Sequence, residues 1–499
     1  MTTTPIEAAP RRAGAAPAVS KPRDHRWWAL AVLGLAQLMV VLDATIVNIA
    51  LPRAQLSLGF SNADRQWVVT AYALSFGGLL LLGGKLADLW GRRRVFVIGL
   101  IGFATASAIG GASTSFVMLV TARAAQGAFG ALLAPAALSL LTTAFTDVTE
   151  RAKAFAVYGA IAGAGAAVGL LLGGVLTQYL SWRYCLYVNV VFAIVTTIGA
   201  FGFLRDQKRP PGARLDLLGT AVAVGGLVAL VYGFSEADTS SWHSPVTIGL
   251  LVAAVVLLGA FGLIERRVSH PLLPLRVILE RNRGGANLAI LLVGVGMFGV
   301  FLFLTYYLQL TLGYSPIKTG VAFLPMVGAI MVSSPIGGTL LLPRFGPRPL
   351  VSGGMLISGV GMVLMSQITV TGGYVDHVLP GLIVTGLGMG FIFSAAMNVA
   401  TAGAAAEDAG VASALPNVAQ QIGGALGPAL LNTIATDAAL SYHPPGSMSP
   451  QLAQASAAVH GDSVAFVVVY VILFASAIVT AFILKGGRAE APSVAVHVG

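Results

Sequence analysis

The chain has 499 residues, of which 56% are hydrophobic and 10% are charged. This composition excludes a soluble globular protein, which needs far more polar surface, and also a disordered or collagen-like chain. The net charge of +10 comes from short basic clusters between apolar stretches, a pattern typical of membrane orientation rather than of nucleic-acid binding.

Apolar runs long enough to cross a bilayer as helices recur from residue 27 to residue 484. Helices are expected because lipid cannot satisfy unpaired backbone groups. The even number of spans places both chain ends on one side. The fourteen predicted spans are 28–51, 66–87, 95–113, 116–143, 154–177, 185–204, 217–235, 246–264, 286–309, 320–341, 350–369, 378–400, 411–435 and 463–484.

The basic residues indicate which side that is. Of the 29 Lys and Arg residues, 24 fall on the side of the chain ends and 4 on the other side. This bias predicts that both termini are cytoplasmic and that the protein lies in the cell membrane.

The predicted fold class is an all-α integral membrane protein with two six-helix bundles and two extra central helices. We assign 1–26 and 485–499 to cytoplasmic tails, 27–204 and 285–484 to the bundles, and 205–284 to a linker that carries the extra helices.

The two bundles carry a weak internal repeat. LADLWGRRR (86–94) follows the second helix of the first set, and LLPRFGPRP (341–349) follows the second helix of the last set. Gly346 matches Gly91 and Arg348 matches Arg93. Duplicated halves related by an axis along the membrane normal would hold a substrate between them.

Helix 1 contains Asp43 within LDATIVNIALP (42–52), the one acid that the predicted spans place well inside the hydrocarbon. An ionisable residue at this depth is rare and usually functional. We predict that Asp43 takes up and releases a proton. The alternative is a structural ion pair.

The turn after helix 2 reads GKLADLWGRRR (84–94) and places one acid among four bases. We expect Gly84 to let helix 2 approach a neighbour closely and Gly91 to permit a sharp turn. Arg92–Arg94 anchor that turn on the cytoplasmic side. Asp88 either accepts hydrogen bonds from a helix N-terminus and an arginine or merely neutralises the bases.

Helix 4 carries TARAAQGAFGALLAP (121–135). At about 1.5 Å per residue, Arg123 and Asp43 both lie roughly 11–12 Å below the outer edge of the membrane. They could pair or share a proton path through water, with Gln126 one turn away on the same face. A snorkelling arginine is the alternative.

Helix 5 reads YGAIAGAGAAVGLLLGG (158–174), in which glycines recur at four-residue spacing. Such a small-residue face lets membrane helices pack closely, and packing and gating roles both fit it. These glycines are Gly159, Gly163, Gly165, Gly169 and Gly173.

Several amides in the predicted spans could line a substrate cavity or could equally form hydrogen bonds between helices. They are Asn48, Gln126, Asn398, Asn417, Gln420 and Gln421.

With these motifs in this order, the chain resembles the major facilitator superfamily, specifically its fourteen-helix drug/proton antiporter branch. The resemblance covers nearly the whole chain and includes SWRYCLYVN (181–189), GYSPIKTGVAFLP (313–325) and GVASALPNVAQQIGGALG (410–427). The chain departs from the branch at Leu170, where proline is usual, and at Gln420, where a basic residue is frequent.

The resemblance implies an exporter of amphipathic drugs or antibiotics that exchanges protons by alternating access. It also implies that Gly84, Asp88, Gly91, Arg92 and Arg93 latch the two halves in the outward-open state. We expect a monomer in a lipid bilayer that is driven by the proton gradient, with no cofactor, metal, nucleic-acid partner or enzymatic activity.

Other signals exclude other classes. GVGMFG (294–299) lies inside an apolar helix, so it is not a nucleotide site, and no Walker A sequence exists. The single Cys185 excludes an internal disulfide. We expect Glu407 and Asp408 to be solvated, and the second half to hold no acid within the membrane.

Two alternatives remain open. One is a dedicated exporter of a single endogenous metabolite, lipid or peptide. The other, from a different class, is a channel or a non-transporting membrane scaffold, which would have no use for a buried pair of Asp43 and Arg123.

Overall fold

The protein is helical throughout the part that the structure, a computed structural model, describes. The described residues are 25–62, 64–145, 147–204, 216–268, 271–402, 408–443 and 448–485. Nearly all of both predicted tails and residues 205–215 at the start of the linker lie outside these ranges. The first bundle consists of α1 (Arg26–Leu58), α2 (Trp67–Trp90), α3 (Arg92–Gly111), α4 (Phe116–Ala144), α5 (Val148–Tyr179) and α6 (Tyr184–Phe203).

The linker region contains two long helices and one short helix, α7 (Leu217–Thr239), α8 (Pro245–Arg267) and α9 (Leu275–Ile278). The second bundle follows, and three of its helices have π-helical turns at one end, Tyr307–Thr311, Ile336–Leu341 and Tyr374–Val378. Its helices are α10 (Arg281–Tyr306), α11 (Pro316–Pro335), α12 (Leu342–Phe345), α13 (Pro347–Met365), α14 (Leu379–Thr401), α15 (Ala409–Ser441) and α16 (Pro450–Ile483).

The span count agrees with the prediction. Within the described ranges, thirteen helices are long and apolar enough to cross a membrane. The fourteenth is α15, which has 33 residues and packs between α2, α10 and α16. Its amides lower its hydropathy, and its neighbours shield them from lipid.

Two helices extend well beyond their predicted ends. The first, α1, continues through Pro52 to Leu58. The last, α16, begins at Pro450 rather than at residue 463 and has 34 residues. A helix of that length spans about 51 Å, whereas the hydrocarbon core is about 30 Å thick. The additional turns of α16 therefore project beyond the lipid.

The two bundles share one packing arrangement. In the first bundle α4 packs on α2 and α3, while α1 packs on α5 and α6. In the second bundle α14 packs on α11 and α13, while α10 packs on α15 and α16. The matched turns at Gly91 and Gly346 both have positive φ, +96° and +77°, a conformation that favours glycine. The weak repeat in the sequence therefore corresponds to a structural repeat.

The bundles meet along two contacts, α2 with α15 and α5 with α11. The extra helix α7 packs on both α2 and α15, so it covers one contact. Its partner α8 packs on α7 and is mostly exposed. We call the end where α1 begins and α2 terminates the basic end, and the end where α1 terminates and α2 begins the opposite end.

The bundles are closed at the opposite end. The side-chain amide of Gln309 donates to the carbonyl of Ile49 at 3.0 Å, and the Tyr306 hydroxyl donates to Gln55. A Cβ added to Gly174 of α5 would lie 2.7 Å from Ile317 at the start of α11. These contacts join the two bundles at the end that the charge bias assigns to the outside.

Candidate functional site

A buried polar cluster centres on Asp43 of α1. Its carboxylate is 0% exposed, and Arg123 of α4, 1% exposed, donates to Oδ2 at 2.6 Å. The other carboxylate oxygen accepts hydrogen bonds from Gln126 at 3.0 Å and from Asn189 at 2.7 Å. The pairing predicted from equal depth on two helices is confirmed.

Five helices build this cluster. Arg123 and Gln126 are three residues apart on α4 and therefore share a face, and Arg123 also donates to the Gln126 side chain at 2.9 Å. Ser107 of α3 accepts from Gln126 at 3.0 Å and from Asn189 of α6 at 3.1 Å. Its own hydroxyl donates to the carbonyl of Leu186 at 2.7 Å. Each helix thereby fixes the position of the others.

The guanidinium of Arg123 has partners on every side. Its Nε donates to the carbonyl of Val68 on α2 at 3.1 Å, and the ring of Tyr72 lies 4.3 Å away in a cation–π contact. A buried ion pair is tolerated only when further hydrogen bonds satisfy both charges, as they do here. The alternative of a snorkelling arginine is wrong, because Arg123 does not reach solvent.

Spare hydrogen-bonding capacity surrounds the acid. Among the described residues, Asn189 Oδ1 and the Tyr72 hydroxyl are buried polar atoms without a partner. A protonated carboxyl becomes a donor and needs an acceptor. The amide oxygen of Asn189 is therefore free to accept a hydrogen bond.

A small cavity of about 10 Å³ adjoins Arg123. Its lining also includes Ala54, Val68, Leu119 and Trp182, which lie toward the opposite end. This volume is close to the space that one water molecule occupies.

The glycine face of α5 packs against the part of α1 that carries the acid. A Cβ added to Gly169 would lie 2.0 Å from Thr45 Oγ1, and one added to Gly173 would lie 2.9 Å from Ile46. Gly165 packs on Val41 and Leu38 in the same way. The close packing of α5 on α1 therefore spans the level of Asp43.

The other predicted positions of α5 are Gly159, Gly163 and Leu170. A Cβ added to Gly159 would meet open space, and the surroundings of Gly163 lie outside the described residues. Leu170, at the position of the usual proline, is buried, and α5 runs as one helix over Val148–Tyr179.

The predicted latch residues lie at the basic end. Gly91 forms the sharp turn, as expected. The close approach of α2 to α4 is made by Gly83, where a Cβ would lie 2.0 Å from the carbonyl oxygen of Ala131. The expectation for Gly84 is wrong, because its added Cβ would make an ordinary 3.7 Å contact.

Asp88 pairs within its own bundle in this conformation. Its carboxylate lies 3.6 Å from Arg92 one turn away, and Arg93 donates to the carbonyl of Phe201 at 3.1 Å. A latch that forms in the outward-open state is expected to be disengaged when the opposite end is closed. Its role stays a prediction.

The six candidate cavity amides are not equivalent. Gln126 belongs to the Asp43 cluster, and Asn48 is buried with its amide nitrogen on the carbonyl of Ala44 at 2.9 Å. The other four are less buried. Asn398 is exposed near the basic end, and Asn417, Gln420 and Gln421 are half-buried on α15.

Two acids outside the Asp43 cluster are buried. Asp462 on α16, at 7% exposure, lies just before the predicted span 463–484, so the expectation that the second half holds no acid within the membrane stays a prediction. Asp408 is also buried rather than solvated and accepts from Arg276 of α9 at 2.7 Å and 3.0 Å. The Arg276 guanidinium holds the pKa of Asp408 below its usual value. Glu407 lies outside the described residues.

Sequence reasoning missed three members of the Asp43 cluster. Asn189 is the last residue of SWRYCLYVN, a segment already noted, but nothing in its spacing connected it with Asp43. Ser107 and Tyr72 carry no signal in the sequence, because hydroxyls are common in membrane helices.

Comparison with known proteins agrees with this architecture. A family model described as Major Facilitator Superfamily matches residues 33–428. The puromycin resistance protein of Streptomyces alboniger is 49% identical over 98% of this chain and 96% of its own length. A cephamycin export protein of Amycolatopsis lactamdurans is 37% identical over 94% and 95%.

A solved structure has the same fold. A bacterial homologue of the human lysosomal transporter Spinster, crystallised in an inward-facing conformation, has a TM-score of 0.65 and 18% identity. The match covers 93% of this chain and 98% of that structure.

Proposed function

This chain belongs to the major facilitator superfamily, and we propose that it exports amphipathic antibiotics or drugs across the cell membrane in exchange for protons. It is a multi-pass membrane transporter rather than an enzyme. In the proposed orientation the basic end is cytoplasmic and the opposite end is external. The two bundles would then alternate access to a site between them.

The observation that carries the proposal is the buried ion pair of Asp43 and Arg123. A proton on Asp43 would remove the charge that holds Arg123 and would weaken the hydrogen bonds from Gln126 and Asn189. The cluster thus has the components of a site that changes protonation during transport.

The ion pair is also close to the external closure. Ile49, whose carbonyl accepts from Gln309 of the second bundle, lies on the same helix as Asp43, less than two turns away. Gln55 meets Tyr306 further along that helix. A shift of α1 after protonation would therefore reach the contacts between the bundles directly.

The proton gradient can supply the required energy. Moving one charge across 100 mV is worth about 2.3 kcal/mol, so a single proton per cycle supports appreciable accumulation. No cofactor is needed for this coupling.

Two relatives are named for puromycin resistance and for cephamycin export, which supports antibiotics as the substrate class. Puromycin is the first probe to use, because the relative named for it matches nearly the whole chain at 49% identity.

The test uses the purified chain in proteoliposomes with an imposed pH gradient and labelled puromycin. We expect uphill accumulation that an ionophore abolishes, and no uphill accumulation for Asp43→Asn. Asp437→Asn, which changes an exposed acid on α15, is the matched control and should transport normally. Wild-type accumulation by Asp43→Asn would contradict the role of this acid.

A dedicated exporter of one compound is the second candidate, because each of these relatives is named for a single antibiotic. A panel of antibiotics and dyes in the same vesicles separates the two. Transport of one member only would favour the dedicated exporter, and transport insensitive to the ionophore would favour a channel.

A further inference from the structure

A buried arginine of the first bundle contacts the second bundle at the opposite end. Arg65 lies in the connection between α1 and α2 and is 8% exposed. Its Nε donates to the side-chain oxygen of Asn432 on α15 at 3.0 Å. Its guanidinium carbon lies 4.3 Å from the ring centre of Tyr306 and 5.5 Å from that of Phe303, both on α10. All of these contacts cross from one bundle to the other.

The partners of Arg65 are themselves connected back to the first bundle. The side-chain nitrogen of Asn432 donates to the carbonyl of Asn62 at 3.3 Å. The side-chain oxygen of Asn62 accepts from Gln55 of α1 at 2.8 Å, and the side-chain oxygen of Gln55 accepts from the Tyr306 hydroxyl. These contacts close into a ring, because the aromatic face of Tyr306 lies against Arg65. We call the ring the clasp; its members are Arg65, Asn432, Asn62, Gln55 and Tyr306.

The two buried arginines of the described chain differ in what they contact. Arg123 bonds to Asp43, Gln126 and the carbonyl of Val68, which all belong to its own bundle. These contacts are kept when the two bundles move apart as whole bodies. The contacts of Arg65 with α15 and α10 form only when the bundles meet at the opposite end.

The chemistry of the clasp suits a contact that forms and breaks. A buried charge is costly unless it has partners, so the bundles close favourably only where the guanidinium meets its amide and its rings. Cation–π attraction becomes stronger when water is excluded, and an arginine is hydrated weakly enough to stack on aromatic rings. Among the described residues Arg65 belongs to no close ion pair. Separation therefore exchanges an amide and two rings for water and breaks no direct bond to a carboxylate.

The clasp is also connected with the ion pair of Asp43 and Arg123. Val68 follows Arg65 by three residues, and its carbonyl accepts from the Nε of Arg123 at 3.1 Å. The start of α2 thus lies between the two arginines, with one end of this short segment at the ion pair and the other at the clasp. A displacement of Arg123 would reach Arg65 within one helical turn.

We propose that Arg65 is a gating residue, which holds the opposite end closed through the clasp and opens the exit path when it leaves Asn432 and Tyr306. It is a positioning residue, because its role is to set the population of the closed state and it needs no contact with the substrate. The inference depends on the alternating access of the proposed function.

The test measures the separation of the bundles at the opposite end. Leu56 of α1 and Leu440 of α15 are 72% and 78% exposed there, so cysteine spin labels at these positions should perturb little. Cys185 is replaced by serine to leave only the two labels. Pulsed electron paramagnetic resonance in nanodiscs then gives the closed and open populations as a short and a long distance.

We expect the wild type to show mainly the short distance. Arg65→Gln removes the cation and its ring contacts, so the closed-to-open ratio should fall by about tenfold or more. Arg53→Gln, which changes an exposed arginine of α1 at the same end, is the matched control and should keep the wild-type ratio. A wild-type ratio in Arg65→Gln, or a wild type that is already mainly open, would overturn the inference.

Two variants of Tyr306 separate the ring contact from the hydrogen bond. Tyr306→Phe keeps the ring against Arg65 and removes only the bond to Gln55, whereas Tyr306→Leu removes both. We expect Tyr306→Leu to open the end as Arg65→Gln does, and Tyr306→Phe to stay closer to the wild type. The effects of Arg65→Gln and Tyr306→Leu should not add in the double variant, because they remove one interaction. Additive effects would show that the two residues act separately and would contradict the clasp.

A second variant protects the test against misfolding. A chain that fails to fold gives a broad distribution of distances instead of two populations. Asn432→Leu leaves Arg65 unchanged and removes its acceptor on α15, so it should also favour the long distance. If Arg65→Gln does not fold, a wild-type ratio in Asn432→Leu overturns the inference.

The transport assay distinguishes this inference from the proposed function. If Arg65→Gln keeps the wild-type distances while the wild type accumulates puromycin uphill, only the role of Arg65 is wrong. If Arg65→Gln opens the end but the wild type accumulates no probe uphill, the proposed transport is wrong and the clasp stands.

Discussion

Asp43 and Asp462 are both buried acids, one in each bundle, but their surroundings are opposite. Asp43 accepts three side-chain hydrogen bonds within 3.0 Å, all from its own bundle. Asp462 accepts none among the described residues, and the buried cation at that end, Arg65, belongs to the other bundle and contacts Asn432, Tyr306 and Phe303. The donors of the first acid therefore belong to one bundle, whereas the contacts of Arg65 join the two bundles at the opposite end.

This difference teaches that burial alone does not define what an acid does in a transporter. Where donors and acid move as one body, only a proton or a substrate can change the interaction. Where a cation of one body contacts the other body, as Arg65 does, separation of the two bodies breaks its contacts. The following predictions test this contrast, beginning with the largest expected effect.

Removing the cation of the first bundle should be most damaging. Arg123→Gln leaves Asp43 buried without its counter-ion, and breaking such a pair costs about 3–5 kcal/mol. We expect a strongly lowered thermal midpoint in detergent, measured by differential scanning fluorimetry. Arg65→Gln, which removes the buried cation between the bundles, should lower the midpoint much less, because Arg65 contacts an amide and two aromatic rings rather than a carboxylate. If the two variants lower the thermal midpoint equally, the predicted difference between Arg123 and Arg65 is wrong.

The donors of Asp43 should matter next. Asn189→Leu removes a hydrogen bond to a charged group, worth about 1.5–3 kcal/mol, and leaves the Ser107 hydroxyl with fewer partners. We expect a lowered thermal midpoint and a shifted pH profile of puromycin transport. Asn398→Leu, at an exposed amide of the second bundle, is the control and should change neither quantity. If the pH profile of puromycin transport is the same in Asn189→Leu as in the wild type, this amide has no role in proton coupling.

The shared packing plan predicts equal effects in both bundles. Gly83→Ala on α2 and Gly386→Ala on α14 each place a Cβ within 2.5 Å of a carbonyl oxygen on the neighbouring helix. Such overpacking typically costs about 1–3 kcal/mol. Gly84→Ala, with its nearest atom at 3.7 Å, should be tolerated. The thermal midpoints of the three variants measure these costs. If Gly84→Ala is as unstable as Gly83→Ala, the close contact of α2 with α4 is not made at Gly83 alone.

The smallest effect concerns Asp408, a buried acid with a direct ion pair to Arg276 of the linker region. Its pKa is lowered in the folded protein, so the pair stabilises at neutral pH and is lost as the pH falls below the ordinary value of about 3.9. Between about pH 5.5 and pH 8 this contribution is constant. Thermal midpoints of the wild type and Asp408→Asn should therefore differ by a small, constant amount in that window and converge on acidification. A difference that varies between pH 6 and pH 8 would contradict the lowered pKa.

Much of the fold and part of the site follow from sequence patterns. Regular helix rise allowed Asp43 and Arg123 to be placed at one depth, and the ion pair confirms this. The turn at Gly91 was predictable because few residues other than glycine accept its positive φ. The error of one residue between Gly83 and Gly84 has a simple cause, since one position rotates a helix face by about 100°.

The amino-acid sequence by itself determined the number of spans, their order, the weak repeat between the halves and the equal depth of the deepest acid and a base, because lipid imposes apolar length and helical rise on every span. Tertiary structure alone decided that Asn189 and Ser107 complete the Asp43 cluster, that Arg65 reaches the other bundle and that Asp462 is buried. These contacts join residues far apart in the chain, and their geometry depends on how whole helices pack rather than on any local spacing.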